Sequence, residues 1–200
     1  MNQTESFIHR LSALGEGDRS LLRRLAVQPL DQSLRGFDLF TGVWWPLRQG
    51  SPFAPRRETS WMVAKLFGAF PLRAVPCAHD GPATFAYLLG RSEPRHPACE
   101  DAALLSSAPP DHEPARSQFI ESRRFRTRFD AILQAPLCGL EPHLRWGLSV
   151  VEDAVKAGKA AGLDWVQLLN DLSAWDRGDS HRRNRDISDI WAEQYLKGTH

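Results

Sequence analysis

The sequence predicts an all-α protein of about nine helices. They divide into an N-terminal helical subdomain (1–90) and a C-terminal helix bundle (115–200), joined by a proline-rich linker (91–114). Three observations carry that prediction. Apolar residues recur at intervals of three and four along almost the whole chain, and period-two alternation is nearly absent. Glycines, prolines and capping residues punctuate the periodic stretches.

Taken in order, Phe7, Ile8, Leu11 and Leu14 form a first apolar stripe that stops at Gly15, a residue suited to a helix C-terminus. Asp18 is placed to cap a second helix bearing Leu21, Leu22 and Leu25, which ends before Pro29. A third stretch runs from Phe37 to Leu47 with Phe40, Val43, Trp44 and Trp45, limited by Pro46. Thr59 is placed to cap a fourth helix carrying Trp61, Leu66, Phe67 and Phe70, and a short helix covers Thr84–Leu89. The segment 91–114 holds five prolines and no long apolar run, and so reads as a surface loop. Helical patterning resumes with Phe125, Phe129, Ile132 and Leu133. Pro142 suits a first helical position before Leu144, Leu148, Val151 and Val155. Asp164 caps a helix lined by Trp165, Leu168, Leu169, Leu172 and Trp175, and the last helix carries Ile187, Ile190, Trp191 and Tyr195.

With 200 residues, 42% apolar and 24% charged, the chain has the composition of a soluble globular protein. No run approaches the ~18 apolar residues of a membrane span, and MNQTESFIHR lacks the order of a signal peptide. Three widely spaced cysteines, Cys77, Cys99 and Cys138, fit a reducing compartment, so a cytoplasmic location with no membrane contact is expected.

Enzyme signatures are scarce: the sequence has no G-x-S-x-G elbow, no H-E-x-x-H and no phosphate-binding P-loop. No catalytic residue, metal or cofactor is therefore assigned. Cys77, His79, His96 and Cys99 have a metal-like composition, but a single residue separates the first pair, tighter than the usual spacing of zinc ligands. The tryptophans and phenylalanines recur with leucines at helical spacing and read as core.

Basic residues carry the one distinctive signal. Net charge is only +1, yet of 25 basic residues just four are lysines: Lys65, Lys156, Lys159 and Lys197. Arginine's planar fork suits bidentate phosphate contacts. On the second helix, Arg19 and Arg23 lie nearly opposite the leucine stripe, with Arg24 on its flank. On the helix of Phe125, Arg123 and Arg124 face outward, while Arg126 and Arg128 edge the two sides of the apolar stripe. Between Arg116 and Arg128 five arginines face one acid, Glu121. Arg182, Arg183 and Arg185 add a third cluster without a carboxylate. Three outward clusters in a chain near neutrality suit a groove that tracks a phosphate backbone.

The motifs Gly17–Arg24 (GDRSLLRR), Trp61–Phe67 (WMVAKLF), Arg123–Arg126 (RRFR) and Gly162–Leu172 (GLDWVQLLNDL) occur in that order. Trp175 and a final Trp191–Tyr195 (WAEQY) follow. Together they resemble the CasB family, the small subunit of the type I-E CRISPR Cascade surveillance complex. The resemblance covers most of the chain, although its 91–114 segment looks longer and richer in proline than the family usually carries.

The resemblance implies an all-helical fold, no catalytic activity and a role in antiviral defence. Its implied partners are the Cascade backbone and large subunits, the guide RNA, and the target and displaced DNA strands. The resemblance also implies that a second copy of the chain stacks on the first as a homodimer within the complex. The residues assigned to nucleic-acid contact are Arg19, Arg23, Arg24, Arg123, Arg124, Arg126, Arg182, Arg183 and Arg185. The rival expectation is a helical adaptor whose arginines dock acidic protein surfaces instead.

Overall fold

The periodic stretches fold as helices. The computed structural model describes residues 3–25, 34–49, 54–76, 81–94, 113–177 and 186–200. Among these residues there are nine α-helices: α1 (Gln3–Ser12), α2 (Glu16–Arg24), α3 (Leu34–Gln49), α4 (Arg57–Ala69), α5 (Phe85–Ser92), α6 (Glu113–Gln134), α7 (Leu137–Lys156), α8 (Trp165–Arg177) and α9 (Ile187–Thr199). The described residues contain no strand, only an isolated parallel bridge between Ala74 and Leu163. The all-α fold is as the sequence predicted. Cys77, His79, His96 and Cys99 lie outside the described residues.

Several helix ends differ from expectation, each for a local reason. Gly15 is the N-cap of α2, so Asp18 falls in its first turn, where a carboxylate favours the helix dipole without capping. The N-cap of α4 is Arg56, and Thr59 turns its hydroxyl to Asp176 Oδ2 of α8 at 2.8 Å. Helix α3 continues past Pro46, which sits in the last turn and forfeits one backbone bond near the helix end. Likewise α7 begins at Leu137 after Pro136, which leaves Pro142 inside the helix instead of at its start. Asp164 behaves as predicted, its Oδ1 accepting the Gln167 backbone N–H at 2.8 Å. Gly158, at φ 72°, closes α7 in the left-handed conformation, with Lys159 N–H reaching Ala154 O at 2.9 Å.

One cluster of buried apolar side chains draws on helices from both ends of the chain. Helix α8 packs against α1 and α4, while α5 packs against α7 and, most extensively, α9. Helices α5 and α9 approach so closely because Gly90 and Gly198 lack side chains. A Cβ at Gly90 would run into the Tyr195 carbonyl, and one at Gly198 into that of Tyr87. Two polar groups taken into this core are paired across elements: Trp165 Nε1 donates to Leu72 O at 3.2 Å, and buried Lys65 reaches Glu141 Oε2 at 2.8 Å. The fold thereby fixes α6 against α7 on one flank and α9 on the other, and its remaining face is left to solvent.

Candidate nucleic-acid interface

Helix α6 buries Ser122, Phe129 and Ile132 and exposes Arg123, Arg124, Arg126, Thr127 and Arg128. Arg123 and Arg124 make no ion pair among the described residues. The other two arginines of this stretch are held from opposite sides. Arg126 donates its Nε–H to Glu93 Oε1 at 2.6 Å, although 65% of its side chain stays exposed. Arg128 lies over the Trp146 ring, 5.5 Å from its centroid. The sequence placed both arginines at the edges of the apolar stripe, and the structure agrees.

Glu93, the residue after α5, carries the Arg126 contact. Its buried carboxylate also accepts hydrogen bonds from Ser122 Oγ at 2.6 Å and Tyr195 Oη at 2.7 Å. One carboxylate thus ties α5, α6 and α9 together, and all three donors offset its desolvation. The hydrogen bond to Glu93 raises the Arg126 pKa further. Burial first, and then the bond to Glu93, pushes the Tyr195 phenol well above its ordinary value.

That shift has a sign in stability. In the unfolded chain Tyr195 loses its proton near pH 10, whereas the folded chain keeps it. The unfolded state then binds fewer protons, so its contribution is intact below about pH 10 and is lost as pH rises beyond. We expect Tyr195→Phe to flatten the fall in urea midpoint between about pH 9 and 11, at lower stability near neutrality. An unchanged alkaline slope would contradict this assignment.

Helix α2 uses its arginines differently. Arg19 was expected opposite the leucine stripe, but it is half-buried and donates through Nη2 to Ser12 O, at the end of α1. Arg23 donates Nε–H to Gly68 O near the end of α4 at 3.3 Å and approaches Glu16 at 3.8 Å. The physical reason is common to both. The last carbonyls of a helix lack backbone partners and carry partial negative charge, and a neighbouring guanidinium satisfies them. Arg24 is exposed. Arg182, Arg183 and Arg185 lie outside the described residues. The main packing partners of α2 are α4 and α3, and those of α6 are α7 and α9, so the two arginine groups sit on different neighbours.

Sequence reasoning left two residues out of the candidate interface. Arg128 was placed on the helix but not assigned, because its support comes from Trp146 on α7. Glu93 fell in the stretch read as linker. A helix wheel finds the outward face of α6 but cannot find either of these partners.

Comparison with known proteins bears on what such a face serves. The family described as CRISPR-associated protein Cse2 matches residues 18–196. The chain belongs to the Cse2 family. Solved structures that resemble this Cse2 chain include two of the same family. CasB from M. ruber superposes with a TM-score of 0.62 at 18% identity, covering 98% of this chain and 93% of that one. A Cse2-family CRISPR-associated protein from Thermus thermophilus superposes with a TM-score of 0.58 at 19% identity, covering 98% and 99%. At such identities the superpositions speak for the shared all-helical fold. No curated protein matches the chain. Membership of the Cse2 family makes the chain a component of a CRISPR complex and bears out the resemblance drawn from its motifs.

Proposed function

We propose that this chain is a non-catalytic, nucleic-acid-binding subunit of a type I-E Cascade complex, stabilising guide-target pairing and the displaced DNA strand. The observation that supports this best is the outer face of α6, where Arg123 and Arg124 are exposed with no carboxylate partner among the described residues. Arg24 and the Arg182, Arg183 and Arg185 cluster extend the same chemistry. Arg126, expected from the sequence to contact nucleic acid, is committed instead to Glu93 and serves mainly to hold α6 in place. Arg19 and Arg23 approach the strand only with the donors left over from their carbonyl contacts.

Energetics makes such a subunit useful without catalysis. Exchanging DNA duplex for guide-target heteroduplex is nearly balanced, so a few phosphate contacts on the displaced strand tip it toward opening. Contacts to phosphates carry no sequence information, as a subunit serving every guide requires. No helix of the described residues is long and apolar enough to cross a membrane. We place the protein in the cytoplasm, with guide RNA, both DNA strands, the backbone and large subunits, and a second copy of itself as partners.

The test is binding of the full chain to a fluorescent single-stranded oligonucleotide across a salt series. With five or six phosphates neutralised, the plot of log K against log salt has a slope of about −4. Binding that ignores salt, or no binding at all, favours the protein adaptor. Co-purification of the chain with guide RNA and the large subunits tests its place in the complex.

A further inference from the structure

Four arginines lie within six residues of α6, and the structure does not treat them alike. At about 100° per residue, Arg124 and Arg128 lie about 40° apart, and Arg128 reaches Trp146 of α7. Arg126 lies about 160° from each of them, where it meets Glu93 just beyond α5. Arg126 is bound to a buried carboxylate that two further donors also fill, so its charge is largely cancelled within the protein. Arg128 has no carboxylate partner among the described residues; instead its guanidinium lies on the half-buried Trp146 ring. Phe125 holds that ring in turn, edge-on, with centroids 5.1 Å apart. A guanidinium on an aromatic face has lost much of its rotamer freedom, yet keeps its N–H edges for a ligand.

We infer that Arg128, supported by Trp146, is a phosphate-contacting residue that acts beside Arg124, while Arg126 chiefly locks α6 to α5 and α9. The inference rests on the proposed nucleic-acid function and divides its labour among residues of equal formal charge. Trp146 is a positioning residue, which orders Arg128 without itself holding a phosphate.

The experiment compares two single substitutions that remove the same charge two residues apart. Full-length Arg128→Ala and Arg126→Ala are titrated against fluorescein-labelled oligothymidylate over a sodium chloride series. Arg128→Ala is expected to weaken binding about tenfold and to make the salt slope shallower by about 0.7, the loss of one phosphate contact. Arg126→Ala is expected to keep the slope and to lower the melting temperature. Trp146→Leu retains every charge and an apolar side chain, and is expected to weaken binding about threefold. Equal slope changes in the two arginine variants would overturn the inference, since bulk charge alone would then explain binding. So would an Arg128→Ala protein that binds like the unaltered chain. If the unaltered chain failed to bind the oligonucleotide, the function proposed above would fall first.

Discussion

Reversing two charges, with Arg123→Glu and Arg124→Glu in one chain, is expected to weaken single-stranded DNA binding at least tenfold at about 0.1 M salt and to flatten the salt slope from about −4 toward −2.5. Both side chains are exposed on the outer face of α6 and free of carboxylates among the described residues. Glutamate is as good a helix former as arginine, and substitutions at exposed sites usually change stability by no more than about 0.5 kcal/mol. Circular dichroism and the melting temperature should therefore stay close to those of the unaltered protein. Changing the same pair to alanine removes the contacts without adding repulsion, and should produce a smaller loss of binding. A variant that unfolds, or one that binds normally, would count against this account of the face.

The largest expected effect on stability belongs to Trp191→Ala. Trp191 is fully buried in α9, packed against Phe85 at 5.2 Å and Trp175 at 5.3 Å between ring centroids. Its Nε1–H donates to Asp171 Oδ2 at 2.8 Å, and Gln167 Nε2 donates to the other carboxylate oxygen at 2.7 Å. Truncation opens a cavity at a cost of about 3–5 kcal/mol and removes the indole donor from the buried Asp171 carboxylate. Total stabilities of about 5–15 kcal/mol leave little after such a loss, so the variant should unfold in low urea or fail to accumulate. Trp191→Phe keeps most of the volume and removes only the donor. Its smaller drop in urea midpoint would separate the packing contribution from that of the hydrogen bond.

Much of this architecture was legible in the chain because it is written at short range. The Phe7, Ile8 and Leu11 stripe, the Asp164 cap and the leucines following Trp165 each specify a helix and its buried side within a few residues. Boundaries near proline were harder. Pro46 and Pro142 suggested ends, but packing of the flanking apolar residues outweighs one lost backbone bond at each. The outward direction of Arg123 and Arg124 also followed from helix geometry. What the chain could not disclose were partners distant in sequence. Arg19 and Arg23 meet carbonyls at the ends of other helices, Arg126 meets Glu93, and Arg128 meets Trp146. Such pairings exist only once α2 lies beside α1 and α4, and α6 lies beside α5, α7 and α9.

The most direct test of the function is made on the assembled CRISPR complex bound to target DNA, by permanganate reactivity of thymines in the displaced strand. If the α6 arginines hold that strand open, a complex carrying Arg123→Glu and Arg124→Glu should retain its guide RNA and all its subunits but show much lower thymine reactivity. Full reactivity in a variant complex that still contains the altered chain would contradict the account.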